Sequence, residues 1–153
     1  MIIVAEMNFS FMNPVINSPF IHSSNKETHW EMKNDRKKRI VVIDDDESIQ
    51  QVVKMILDRS GYETMLYSTA EPILNGKVDL PDLILIDALL PGIDGREVCR
   101  DLKNSLITKH VPIVLLSATY DLAQKAKEVG ADGFIEKPFK MSELREKIQS
   151  LVE

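Results

Sequence analysis

The chain has 153 residues, 44% hydrophobic and 28% charged, with a net charge of −5. That length supports one domain with a sizeable core, and no apolar run approaches the roughly 20 residues that span a bilayer, so a cytoplasmic protein is expected. Residues 1–39 carry six Lys/Arg against four Asp/Glu and the remainder thirteen against twenty; an acidic domain repels phosphate backbones, so no direct DNA binding is expected.

In chain order, residues 1–35 show no sustained period and contain Asn13-Pro14, Ser18-Pro19 and Ser23-Ser24-Asn25. Together with the lead-in they form an N-terminal extension, residues 1–37. The extension is expected to be disordered, or else misassigned, with the true start at Met32. The basic cluster Arg36-Lys37-Lys38-Arg39 reads as a solvated lead-in to a strand.

Regularity begins at Ile40–Ile43, a continuous apolar run of the kind expected for a parallel strand buried on both faces. Ile49, Val52, Val53, Ile56 and Leu57 then make the stripe of an amphipathic helix, which Gly61 ends with a left-handed cap. Tyr62–Tyr67 is the second strand. Ala70–Leu74 is a short helix that tolerates Pro72 only in its first turn. The third strand, Leu83–Ile86, leads through Pro91-Gly92 to a helix over Arg96–Asn104. The strand Ile113–Leu116 precedes a helix over Asp121–Val129, stopped by Gly130. The last strand, Phe134–Glu136, leads through Pro138 to a helix capped by Ser142, with Leu144, Ile148, Leu151 and Val152 on one face.

Five strands alternating with five helices predict an α/β domain over residues 38–153, a doubly wound parallel sheet covered on both sides. Ligands in such folds bind beyond the carboxyl ends of the strands, where the strand order reverses. Asp44-Asp45, Asp87, Ser117 and Lys137 each follow one of the predicted strands, so the architecture gathers them into one crevice. Clustered carboxylates repel one another by about 4 kcal/mol per close pair at an effective dielectric of 20. They need protons, a cationic partner or a metal, and an all-oxygen donor set favours a hard cation such as Mg²⁺. A carboxylate can also act as a nucleophile toward phosphorus and form an acyl phosphate.

Five segments carry a family resemblance: Val41-Val42-Ile43-Asp44-Asp45-Asp46, Pro81-Asp82-Leu83-Ile84-Leu85-Ile86-Asp87, Leu90-Pro91-Gly92-Ile93-Asp94-Gly95, Pro112-Ile113-Val114-Leu115-Leu116-Ser117-Ala118 and Glu136-Lys137-Pro138-Phe139. In this order and spacing the chain from Ile40 onward resembles the receiver domain of two-component response regulators. The resemblance implies a flavodoxin-like five-stranded sheet of order 2-1-3-4-5 with five helices. It implies that Asp87 accepts a phosphoryl group from a sensor histidine kinase or a histidine phosphotransfer protein. Mg²⁺ would be held by Asp44, Asp45, Asp87 and the backbone carbonyl of Leu89. Ser117 would bind a phosphoryl oxygen, Lys137 would pair with the acids and then the phosphate, and Phe134 would be the switch aromatic. Such a domain is not an enzyme beyond its own phosphorylation and dephosphorylation.

The resemblance also implies that Leu89 and Thr119, two residues beyond Asp87 and Ser117, set the lifetime of the acyl phosphate. Leu89 offers no side-chain hydrogen bond to orient water and Thr119 carries no charge, so slow self-dephosphorylation is expected. Because the predicted fifth helix runs to the last residues, the sequence reading expects a stand-alone receiver. Its output would be contact with a target protein or onward phosphorelay, with dimerisation possible through the face of the fourth helix, fifth strand and fifth helix. Asp46 reads as a helix cap rather than a ligand, and Cys99 as a small core residue.

Overall fold

The computed structural model describes residues 36–153 apart from Tyr120. The expectations of disorder or a misassigned start concern residues 1–35, which lie outside the described residues. In chain order the elements are β1 (Arg39–Ile43), α1 (Glu47–Arg59), β2 (Glu63–Tyr67), α2 (Glu71–Leu74), β3 (Leu83–Asp87), β4 (Leu89–Leu90), β5 (Ile93–Asp94), α3 (Gly95–Asn104), β6 (Ile113–Ser117), α4 (Leu122–Glu128), β7 (Gly133–Glu136) and α5 (Met141–Val152). The main sheet runs β2-β1-β3-β6-β7, all parallel. Counting only its five long strands, this is the 2-1-3-4-5 order expected from the sequence. The short strands β4 and β5 pair with each other in an antiparallel hairpin that the sequence reading did not anticipate.

Period-two alternation sorts the strand residues onto the two faces. Val41, Ile43, Ile84, Ile86, Ile113 and Leu115 join one core with Ile73, Val98, Cys99, Leu102 and Val129. Ile40, Val42, Leu83, Leu85, Val114, Leu116 and Ile135 join the other, with Val53, Ile56 and Leu57 of α1 and Leu144 and Ile148 of α5. Both faces are dry, which is why β1, β3 and β6 are apolar without a break. Each fully buried side chain of this size contributes about 1.5–3 kcal/mol.

Local chemistry sets the ends of the elements. Asp46 caps α1 by accepting from the backbone N–H of Ser48 at 2.8 Å and of Ile49 at 3.3 Å. Gly61 and Gly130 take the left-handed conformation, with φ of +89° and +79°, and end the turns after α1 and α4. The basic lead-in is fastened rather than free. Arg36 makes two hydrogen bonds of 2.9 Å to the Asp82 carboxylate, which also accepts from the Arg39 backbone N–H at 2.8 Å.

Two expectations need correction. Val52 is 46% exposed; the inward stripe of α1 includes Gln50 instead, because its side-chain amide is required at the end of β1. Ser142 does not cap α5. Lys140 is the cap residue, without a side-chain cap bond, and the helical ladder already begins with the bond from Leu144 N–H to the Lys140 carbonyl. Burial of Leu144 against the sheet fixes that register.

Candidate functional site

Strand register alone brings the candidate residues together. Ile43 is level with Ile86, Asp87 with Leu116, and Ser117 with Glu136. Asp44, Asp87, Ser117 and Lys137 therefore emerge side by side at the carboxyl edge. Three backbone bonds carry the ladder one step past the strands: Asp44 N–H to the Tyr67 carbonyl, Ala88 N–H to Leu116 and Lys137 N–H to Ser117, at 3.1, 2.8 and 2.8 Å.

Asp44 is fully buried, and every polar atom it has is engaged. Besides its bonded N–H, its carbonyl accepts from Gln50 Nε2 at 2.5 Å, Oδ1 from the Asp46 N–H at 2.9 Å, and Oδ2 from Lys137 Nζ at 2.8 Å. The same ammonium donates to Asp87 Oδ2 at 3.0 Å, and the Leu89 N–H donates to Asp87 Oδ1 at 3.1 Å. Burial alone would push the Lys137 pKa down, but the hydrogen bonds it donates to Asp44 and Asp87 outweigh it and raise the pKa above its ordinary value. Asp45 is exposed.

Asp44, Asp45 and Asp87 each offer an oxygen within 4.8 Å of the others. An open, all-carboxylate donor set of this span fits a hard divalent cation that keeps part of its water shell. Against the Leu89 backbone the structure records the N–H bonded to Asp87; the Leu89 carbonyl remains a ligand implied by resemblance only. Ser117 is 1% exposed. Its oxygen accepts from the Thr119 N–H at 3.2 Å and shares a proton with Thr119 Oγ1 at 2.9 Å. Phe134 is 39% exposed and borders a shallow cleft with Glu143, Glu146, Lys147 and Ser150 of α5.

The family model for the response regulator receiver domain matches residues 40–149. The chain belongs to that family. Among its relatives is the DNA-binding response regulator MtrA of Mycolicibacterium paratuberculosis, 37% identical over 117 residues, covering 74% of this chain and 51% of the relative. Two solved structures share the fold with TM-scores of 0.69. One is the chemotaxis response regulator CheY4 of Vibrio cholerae, 26% identical and covering 76% of this chain and 99% of that one. The other is the receiver domain of the sensor histidine kinase PA1611 from Pseudomonas aeruginosa PAO1, 25% identical and covering 76% and 98% of the two chains. It has a magnesium ion coordinated in its active-site cleft.

The expectation that DNA binding is excluded is overturned by these relatives. The chain spans about half the length of the curated relatives it matches, and MtrA is a DNA-binding response regulator. The acidic charge of residues 40–153 describes the receiver and sets no limit on what a protein carrying one binds.

Two positioning residues escaped the sequence reading. Gln50 was hidden in an apolar stripe, where its polarity was the available signal. Gly95 was quoted as part of a motif without a role. The structure gives it one: a Cβ there would lie 1.9 Å from the Asp87 carbonyl oxygen.

Proposed function

We propose that this receiver is a phosphorylation switch in which Asp87 takes a phosphoryl group from the phosphohistidine of a sensor histidine kinase in the cytoplasm. The observation that carries the reading is the shared ammonium: Lys137 donates at once to Asp44 and Asp87. It leaves Asp87 Oδ1, held only by the Leu89 N–H, as the oxygen free to attack. In the transfer, that oxygen forms a bond to phosphorus as the phosphorus–nitrogen bond breaks, and the imidazole nitrogen keeps the electron pair. Positioning and charge neutralisation do most of such work. Asp44, Asp45 and Asp87 would hold Mg²⁺, which when bound supplies positive charge to the phosphoryl oxygens. Lys137 neutralises the growing charge from the other side, and the Ser117 hydroxyl donates to a phosphoryl oxygen.

On this reading the chain acts catalytically only on itself, and the phosphorylated state is read through protein contact or onward phosphotransfer. Leu89 is 58% exposed and its side chain offers no hydrogen bond, while the Thr119 hydroxyl is engaged with Ser117. Neither orients water, and the acyl phosphate is accordingly long-lived. The test is labelling by a small acyl-phosphate donor with Mg²⁺, comparing wild type with Asp87→Ala. Label should appear only on the wild type and persist for minutes. Equal labelling of the variant would overturn the assignment of Asp87, and loss of label within seconds would overturn the long lifetime.

A further inference from the structure

We infer that the face built from the ends of α2 and α3 and the turn after α3 is a docking surface for a second copy of this chain, paired about a two-fold axis. The turn over residues 105–110 carries Leu106 and Ile107 at 81% and 72% exposure, the most exposed large apolar side chains among the described residues. Its shape is nonetheless fixed. The Thr108 hydroxyl donates to the Leu102 carbonyl at 2.7 Å, and the Ile107 N–H to Ser105 Oγ at 3.3 Å. The Lys109 N–H donates to the Ser105 carbonyl at 2.9 Å, and Lys103 Nζ to the Val111 carbonyl at 2.9 Å. Two aliphatic side chains held in water bring the monomer nothing, whereas an apolar anchor already held rigid loses little freedom on binding.

A hole lies beside this knob. Ile107 lines a groove together with Ile73, Leu74, Asp101 and Leu102, and Leu74 is itself 38% exposed. Leu106 does not line the groove of its own chain. A knob and a hole on one face are what an isologous pair requires, because a two-fold axis sets the Leu106 of each copy over the groove of the other. Charge points the same way. Asp101 at the groove and Lys109 in the turn are both exposed, and among the described residues neither has an ion-pair partner. The axis brings the Asp101 of each copy toward the Lys109 of the other, so two opposite-charge pairs form at once. The surface uses no residue of α4, β7 or α5. It lies at the amino end of the sheet, since the turn leads into β6 and Ser117 stands at the far end of that strand. Both crevices stay open in the pair.

The patch is small, so the pair belongs at the weak end of specific interfaces, with a Kd between about 1 µM and 1 mM. The test is sedimentation velocity of the whole chain across that range, in about 50 mM salt so that rim charges are little screened. Wild type should show a monomer–dimer equilibrium, and Leu106→Glu should weaken it about tenfold or more. Asp101→Lys and Lys109→Asp should each self-associate more weakly than wild type, because each sets like charges across the axis. Mixed together, these two variants should form a heterodimer in which both pairs are restored. A wild type that stays monomeric at about 1 mM overturns the proposal. So does association that Leu106→Glu leaves unchanged, or a mixture that associates no better than its components. Each substitution changes an exposed side chain, so the urea midpoint should keep its wild-type value. A midpoint lowered in all three variants would make the face part of the monomer's own fold and overturn the docking role. None of these outcomes depends on the phosphoacceptor reading of Asp87.

Discussion

Gly95 sits so close to Asp87 that a methyl group in place of its hydrogen would lie 1.9 Å from the Asp87 carbonyl oxygen and 2.9 Å from the carbonyl carbon. The opposing atoms are backbone, so no rotamer change relieves the overlap. The β4–β5 hairpin and the start of α3 are thereby folded tightly over the end of β3, with the Gly95 N–H bonded to the Ala88 carbonyl at 3.1 Å. Gly95→Ala must move either α3 or the peptide that carries Asp87. It should cost at least about 1–3 kcal/mol in urea unfolding and slow labelling of Asp87. Unchanged stability would mean that the hairpin yields freely.

Cys99 offers a pH prediction far from the crevice. Its thiol is fully buried against α4, donates weakly to the Val129 carbonyl at 3.9 Å, and burial pushes its pKa from 9.0 up to about 11. Between those values the unfolded chain has lost the thiol proton and the folded chain has kept it. The native state then binds more protons, and stability falls as pH rises. The advantage of wild type over Cys99→Ala should shrink by up to about 2–3 kcal/mol between pH 8 and 11. A constant difference across that range, measured by urea unfolding, would contradict the buried neutral thiol.

The fold was legible because its signals are local and repeated. Apolar runs at β1, β3 and β6 are unbroken since both faces of the sheet are covered, and Gly61 and Gly130 mark where helical turns end. The grouping of Asp44, Asp87, Ser117 and Lys137 was legible for a topological reason, because strands of a parallel sheet all present the same end. The details that escaped depend on contacts no periodicity encodes. Gln50 turns α1 by bonding a single carbonyl, Gly95 answers to a backbone distant in sequence, and the β4–β5 hairpin spans too few residues to show a period. The DNA-binding expectation failed for a different reason, since net charge is a property of the domain in view.

Gln50 is the polar member of the buried face of α1, and its amide satisfies the Asp44 carbonyl. Gln50→Met keeps the length of the side chain and removes the donor, which leaves that carbonyl buried and unpaired. The expected cost is about 1–3 kcal/mol. Since the same peptide carries Asp44 and leads into Asp45, weaker Mg²⁺ binding in calorimetric titration should accompany it. A stability loss with unaltered Mg²⁺ affinity would limit Gln50 to supporting the fold.

Lys137 and a divalent cation neutralise the same carboxylates, and this competition can be measured. Asp44 is fully buried and Asp87 nearly so, and in the structure the Lys137 ammonium is the cation that touches both. Lys137→Met leaves two confined acids facing each other without a partner. Breaking a buried pair from one side costs about 3–5 kcal/mol, so the variant should unfold at markedly lower temperature in metal-free buffer. Mg²⁺ restores the missing charge, and stabilisation by a ligand grows with its affinity for the native state. Added Mg²⁺ should therefore raise the melting temperature of Lys137→Met more than that of wild type. An equal rise in both would show that the cation and the ammonium draw on different carboxylate oxygens, with Asp45 rather than Asp44 supplying the metal's share.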